Sequence, residues 1–412
     1  MIQEPFIRRF CFLALLIFTS LSVRADILDN WTTNQIATND FAFNHVVYGN
    51  GIYVAVADYA DSGAFYTSTD GFQWVRQYSE PVSWGATLNY SGGHFASCGP
   101  GLYGDGIDGG VENVSADGTN WVTTLSVPVT PIAITYGKYF SPGKSLYVLA
   151  GSTNNVASIM SSPDGVTWTS RTVTNPGGPL NGIAFGNGIF VAIGNNDGSI
   201  YVSSSGTGTW SKFSLPGGNK ISFANNIFFV PLNNQTNLLS LNGSSWSAQA
   251  TGLTNGLGAV TYTDGVYMAQ CAISPAGSYL ATSADGTNWF QYPTRLPNAC
   301  ASIDALDYDV NVATDGSRLV TGSCAVTNFF AYNSYIYTSG PLVFVSQTNN
   351  PPRRILISGL VGRSYQVQSV DALGNGSNWR TNVSFQLTNT PFIWVDGTAT
   401  NSARFYRGVL LP

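Results

Sequence analysis

The heptapeptide SADGTNW occurs at Ser115–Trp121 and again, unchanged, at Ser283–Trp289, 168 positions further on. Weaker copies fill the interval and precede it. They are TSTDGFQW (Thr67–Trp74), SSPDGVTW (Ser161–Trp168), and the degenerate SSSGTGTW ending at Trp210 and SLNGSSW ending at Trp246. Successive tryptophans lie 47, 47, 42, 36 and 43 residues apart, and 168 is four times 42. A period of this length belongs to chains built from one supersecondary unit stacked on copies of itself.

Each unit begins upstream of its motif with an apolar strand, a tight turn and a second apolar strand. Examples are NHVVYGNGIYVAVA from Asn44, GIAFGNGIFVAIG from Gly182 and GAVTYTDGVYMAQC from Gly258. A third strand such as SIYVSSSG (Ser199–Gly206) leads into the turn, and a fourth follows the Trp. Four short antiparallel strands per unit make one blade of a β-propeller. Charged residues are 9% of the chain, with 45 Gly and 13% aromatics, which suits strands and turns rather than helices.

Inner hairpins start near Asn44, Gly85, Ile132, Leu180, Lys220, Leu257 and Ile303, which gives seven blades. The seventh runs through YIYTSG (Tyr335–Gly340) without a Trp-bearing fourth strand of its own. The segment DNWTTNQI, from Asp29, places Trp31 43 residues before Trp74, one period away. The N-terminal strand is therefore expected to complete the last blade and close the ring without an exposed edge.

The predicted fold is all-β: a seven-bladed propeller over residues 26–345, a linker over 346–354 (SQTNNPPRR), and a small β-sandwich over 355–412. Residues 1–25 have the pattern of a signal peptide, with Arg8 and Arg9, an apolar run from Phe10 to Val23, and Val23-Arg24-Ala25 at the cleavage site. The mature protein is expected to be secreted, or to lie at the surface or in the periplasm of a bacterium. No later segment is apolar enough to span a membrane.

In the recurring turn, the Asp carboxylate accepts otherwise orphaned backbone N–H groups, Gly takes positive φ, and the Trp buries its ring. Asp70, Trp74, Asp117, Trp121, Asp164, Trp168, Asp285 and Trp289 are accordingly structural. The motif S-x-D-G-x-x-W resembles the Asp-box, or BNR, repeat of sialidase-like propellers, with one residue fewer between Asp and Trp than the usual spelling. The resemblance covers Asp29 to about Gly340 and implies the fold. It does not select an activity, because Asp boxes occur in sialidases, other glycosidases, lyases, receptors and non-enzymes. The C-terminal segment, with Tyr365, Trp379 and Arg404-Phe405-Tyr406-Arg407, is similar to small modules on secreted proteins of verrucomicrobial-type bacteria. That resemblance implies a spacer, attachment or sorting role first and carbohydrate binding second.

Enzyme readings meet chemical obstacles. The sialidase family clamps a carboxylate with three Arg, a geometry Lys cannot supply. This propeller offers Arg76 and Arg171 on outer strands, Arg295 in a connection between blades, and Arg318 near the wrong face. A glycosidase needs two suitably separated carboxyl groups. The mature chain has only two Glu, Glu80 and Glu112, both read as lying in connections. No zinc spacing, nucleophile elbow or phosphate loop is present, so neither catalytic nor metal residues are assigned. The two His, His45 and His94, are read as packed and satisfied by backbone. An acidic pI near 4.9 with no basic cluster argues against nucleic acid.

The loops between second and third strands share one face around the channel mouth. Those of blades one, two and four supply Tyr59, Asp61, Tyr103, Asp105, Asp108, Asn195 and Asp197, a set suited to sugar hydroxyls or a Ca²⁺ ion. Exposed turns use the same residue types. The leading reading is an exported, non-catalytic propeller that binds a ligand or partner, a glycan first, through this face. The alternative is a carbohydrate-active hydrolase or lyase using Asp residues there, and the third is a cell-surface spacer. No cofactor is expected apart from that Ca²⁺. In an oxidising compartment Cys300–Cys324 is the preferred disulfide, with Cys271 as alternative partner for either and Cys98 free.

Overall fold

A computed structural model describes residues 31–38, 42–59, 62–78, 86–99, 110–138, 144–194, 197–218, 220–232, 235–253, 256–263, 266–273, 277–295, 312–314, 319–328, 331–339, 343–347, 353–359, 362–371, 379–388, 392–398 and 404–411. Their regular elements are all strands, and among them are seven four-stranded antiparallel sheets. Six of these sheets are continuous in sequence and run from an inner to an outer strand. In blade one they are Ala42–Gly49, Ile52–Tyr59, Ser62–Ser68 and Val75–Tyr78. The seventh contains Val312–Thr314, Leu319–Asn328 and Ala331–Ser339, and its outer strand is the N-terminal Trp31–Thr38. Trp31 lies opposite Ser339 and Thr38 opposite Asn333, and this sheet packs on the inner strand of blade one.

The repeated turn works through local bonds. In blade two, Gly118 N–H donates to Ser115 Oγ at 2.8 Å, and Ser115 Oγ–H donates to Asp117 Oδ1 at 3.1 Å. The same Oδ1 accepts the N–H groups of Thr119 and Asn120, both at 2.8 Å. Blades one, three and six repeat the arrangement at Asp70, Asp164 and Asp285. The degenerate copies keep the geometry with neutral oxygens. Asn242 Oδ1 accepts from Ser244 and Ser245, and Ser205 Oγ from Thr207 and Gly208. Backbone donors, that of Asn120 first, hold the Asp117 carboxyl well below the usual carboxylate range, and Asp164 is lowered in the same way, by Thr167 first.

Each turn also joins blades. Gly118 has φ +77° and packs under Val54 and Ile52 of blade one, so a side chain there would collide with both. The Trp121 ring stacks on Phe65 of blade one at 3.7 Å. Gly165 and Gly243 sit likewise on Val114 and Val191 of their preceding blades. The turns after the inner strands add staples. Asn50, at φ 50°, donates through Nδ2 to Gly93 O and Ala116 O of blade two, and Asn187 does the same to Asn226 O and Leu241 O of blade five. These bonds place the inner turns and the Asp-box turns on one face of the ring.

Asp117→Ala is expected to cost about 1–2 kcal/mol by leaving turn donors without an acceptor. Asp117→Asn should cost less than half of that at neutral pH, because Asn242 already does this work with an amide. Thermal denaturation of both variants measures the difference.

Beyond the propeller, two three-stranded sheets form a small sandwich: Val343–Gln347, Arg353–Gly359 and Phe392–Asp396 face Arg380–Gln386, Ser364–Val370 and Phe405–Leu410. Its core is Ile355, Ile357 and Val367 with Val383, Phe385, Phe392, Trp394 and Tyr406 packed around them. The expected linker at 346–354 is corrected here. Ser346 and Gln347 pair with Leu356 and Ile355, and Arg353 and Arg354 pair with Asp396 and Val395. Both described ends of the expected linker are thus strand, and the first strand of the sandwich begins at Val343.

The Arg404–Arg407 motif serves this sandwich. Buried Asp396 accepts from Arg404 Nη1 at 2.9 Å, Tyr406 Oη at 2.5 Å and Thr398 N at 2.9 Å, tying one sheet to the other. Arg407 lies 4.4 Å over the Trp379 ring. The sandwich is docked on blade six. Buried Tyr292, on the outer strand Phe290–Arg295, donates through its hydroxyl to Gly359 O at 2.9 Å, and Phe290 joins Tyr365 and Leu387 in one apolar cluster.

Candidate functional site

Six inner strands, Ala42–Gly49, Thr87–Ser91, Thr130–Lys138, Leu180–Gly186, Ser222–Ala224 and Leu257–Thr263, surround a central cavity of about 550 Å³. Their free edges turn toward it, and unpaired strand edges need partners. Side chains of neighbouring blades supply some. Asn89 Nδ2 donates to Ile134 O at 3.0 Å, Ser91 Oγ accepts from Tyr136 N at 2.8 Å, and Ser222 Oγ accepts from Val260 N at 3.0 Å. The wall is mixed, apolar residues such as Val47, Ile132 and Ile221 standing beside Asn89, Thr135 and Asn181, and it is mostly uncharged, with His45 and Lys220 its only His, Lys or Arg among the described residues.

The second-to-third-strand connections of blades one, two and four lie at the end of the ring opposite the Asp-box turns. Tyr59 is the last residue of Ile52–Tyr59, opposite Ser62. Asp61, Tyr103, Asp105, Asp108 and Asn195 fall outside the described residues, between strands that end at Tyr59, Gly99 and Gly194 and strands that start at Ser62, Gly110 and Ser199. Asp197 is described, and its carboxylate is committed to the turn. Oδ1 accepts Ser199 N at 2.8 Å, while Oδ2 accepts Ser199 Oγ at 2.9 Å and Gly178 N at 3.1 Å. Of the seven candidates, the structure thus describes the side-chain bonds of Asp197 alone, and that residue caps its own loop.

Glu112 is corrected from a connection to the third strand of blade two, Gly110–Ser115, where it is fully buried opposite Cys98. Neither carboxyl oxygen has a hydrogen-bond partner, and burial pushes its pKa up to about 8. It stands three residues before the box Ser. Blades one, three, four and six hold Phe65, Ile159, Ile200 and Leu280 at that register, all buried, and blade five holds Asn237. The signal for this substitution of an acid for a core residue is its position, three residues before the box Ser, compared across the blades. Sealed in the blade, the carboxyl cannot reach a substrate.

His45 lines the cavity, whereas His94 opens the second strand of blade two and lies 3.9 Å from the Tyr136 ring, its pKa lowered by burial. Arg76 lies on the outer strand of blade one and Arg171 on that of blade three, where it donates to Ser161 Oγ at 2.6 Å. Cys98 and Cys271 are both buried and free, and burial raises both thiols, that of Cys271 to about 12. Cys271 is therefore not a bridge partner. Cys300 lies outside the described residues, and Cys324 stands inside Leu319–Asn328, opposite Ser334. Among the described residues no group of His, Cys, Asp or Glu could hold a metal ion, and no helix is long and apolar enough to cross a membrane.

Sequence reading missed a recurring aromatic at the end of the inner strands. Tyr48, Tyr90, Phe185, Phe223 and Tyr262 all line the cavity near the Asp-box face. The signal was an aromatic one residue before the hairpin Gly, Ser, Ala or Thr in each of the first six units.

No family description matches the chain, and no curated protein is a relative at a significant level. Solved structures align with it in outline. YCF48 from Cyanidioschyzon merolae is 13% identical, with 75% of this chain and 98% of that one covered and a TM-score of 0.46. A structure of YCF48 bound to D1 peptide is 15% identical over 76% and 97%, with a TM-score of 0.47. Saccharomyces cerevisiae Sqt1 is 9% identical over 80% and 96%, with a TM-score of 0.44. Superpositions at this level transfer neither a site nor an activity.

Proposed function

We propose that this protein is an exported, non-catalytic propeller that binds a glycan or another cell-surface partner through the face of its second-to-third-strand connections. The observation that carries this reading is the commitment of the Asp-box face to the fold, which leaves the opposite end, Asp197 apart, as the place for a partner. On the Asp-box face, Asp70, Asp117, Asp164 and Asp285 are each bonded to their own backbone, and Asn50 and Asn187 are bonded to the next blade. The opposite end collects the second-to-third-strand connections of blades one, two and four, whose sequences are rich in Tyr, Asp and Asn. Such residues can stack on and hydrogen-bond to a polar ligand. Catalysis by carboxylates gains nothing from the described acids, since the box groups are spoken for and Glu112 is sealed. The signal-like N-terminus supports export.

The test is a glycan array together with a chromogenic glycoside screen that includes a sialoside. Tyr103→Ala with Asp105→Ala should lower affinity at least tenfold while changing stability by only about 0.5 kcal/mol. Asp117→Ala should do the reverse. Turnover of any glycoside, or binding lost in Asp117→Ala but kept in the loop variant at a temperature where both are folded, contradicts the reading.

A further inference from the structure

The aromatic end of the channel has its own chemistry. Tyr48, Tyr90, Phe185, Phe223 and Tyr262 come from five different blades and stand at one level of the ring. Each is fixed by a second aromatic across its hairpin. The pairs are Tyr48–Tyr53, Tyr90–Phe95, Phe185–Phe190, Phe223–Phe228 and Tyr262–Tyr267, with centroids 4.6–4.8 Å apart and tilted. The neighbouring blade holds three of them from the other side. A Cβ on Gly49 would lie 2.4 Å from the Tyr90 ring, one on Gly137 2.3 Å from that of Phe185, and one on Gly186 2.1 Å from that of Phe223. Tyr90 Oη also donates to Asn50 Oδ1 at 2.6 Å. Blade three departs from the pattern, because its Tyr136 is buried under His94 and does not line the cavity.

Tyr48, Tyr90, Phe185 and Phe223 pack on the blade cores and also line the cavity, and Tyr262 retains 37% of its surface exposed. Between and behind the rings lie Thr87, Asn89, Ser91, Thr135, Ser222 and Thr261 together with free strand edges. Thr87, Asn89, Ser91, Thr135 and Ser222 already bond to protein, so it is the strand-edge N–H and C=O groups not served by them that a hydrocarbon ligand would leave unpaired. A charged ligand would find no counter-charge at this end, since His45 and Lys220 each stand three residues before the ring of their own blade, toward the other mouth. The volume of about 550 Å³ lies within the range of small-molecule sites, roughly 300–1,000 Å³.

From this geometry we infer that the aromatic end of the channel is a binding site for one or two residues of an uncharged sugar, which would stack on the rings and hydrogen-bond to the strand edges. This site is separate from the loop face and stands or falls independently of it.

The test is isothermal titration of the full chain with neutral linear oligosaccharides (cello-, xylo- and malto-series), with sialyllactose as charged control and 1-anilinonaphthalene-8-sulfonate as apolar control. A neutral oligosaccharide should bind, and Tyr48→Leu with Tyr262→Leu should weaken it at least tenfold. The Tyr103→Ala/Asp105→Ala variant should leave that binding unchanged. If the leucine variant fails to fold, wild-type protein still decides the matter, because bound sugar protons should show upfield ring-current shifts in NMR spectra. Absence of binding by every neutral series, binding insensitive to the leucine substitutions, unshifted sugar protons, or uptake of the apolar probe alone would each overturn the inference.

Discussion

Deleting residues 26–36 should destabilise the whole propeller, not fray one end of it. The deletion removes most of Trp31–Thr38, which supplies the outer strand of the sheet formed by Val312–Thr314, Leu319–Asn328 and Ala331–Ser339. Seven cross-strand pairs join Trp31–Thr38 to Ala331–Ser339, and this sheet is packed on the inner strand of blade one. Without that strand the backbone groups of Ala331–Ser339 become a new open edge. A loss of at least ~3 kcal/mol, or roughly 6–12 °C in melting temperature, is the expected size for a domain this large. Calorimetry should show one transition moved downward. An unchanged melting temperature would remove the N-terminal strand from the ring and with it the proposed count of seven blades.

The second large effect concerns Glu112. Its pKa is pushed up to about 8 by burial, against about 4.3 in an unfolded chain. The folded state therefore holds a proton that the unfolded state releases, and stability falls as pH rises between those two values. At pH 7 the penalty is roughly 3–4 kcal/mol. Glu112→Gln should recover most of it, since Asn237 shows that a neutral amide is accommodated at this register. The gain should be near zero at pH 4.5 and largest at pH 8. The box carboxylates act with the opposite sign. Their folded pKa values are depressed, so their contribution is full above about pH 5 and is lost as pH falls through the acid range. The wild-type protein should thus be most stable near pH 5. Denaturant melts of both proteins from pH 3 to 9 measure the curve. Parallel curves for wild type and Glu112→Gln would show that Glu112 is ionised in the folded state or solvated.

What could be read from the sequence follows from how local the physics is. The turn S-x-D-G-x-x-W is specified by its own side chains, so it stands out in one dimension. Even the copies at Ser205 and Asn242 keep an acceptor two residues after the first Ser. The clasping strand was legible because Trp31 keeps the period. Glu112 was not, because a carboxyl in a Gly-rich stretch looks like a loop residue until the register to Ser115 is compared with Phe65 and Leu280. The segment 346–354 misled for a related reason. Pro and Asn mark a break in a strand equally well whether it is a hairpin or a domain boundary, and only pairing of Gln347 with Ile355 separates the two. Asp197 could not be told from a ligand-binding acid, because capping a turn and meeting a ligand call for the same oxygen.

The sandwich is tethered to blade seven by the chain that leaves Ala331–Ser339, yet it docks through Tyr292 and Phe290 on blade six. It consequently bridges the last two blades, beside the seam where the ring was shut. If the C-terminus is held by a surface, a tensile load would not pass straight into the clasped sheet. Part of it would be carried sideways through the Tyr292–Gly359 contact, and the module would act as a bracket instead of a leash. The propeller would then be presented at a fixed angle to whatever holds it, with torque resisted at two blades.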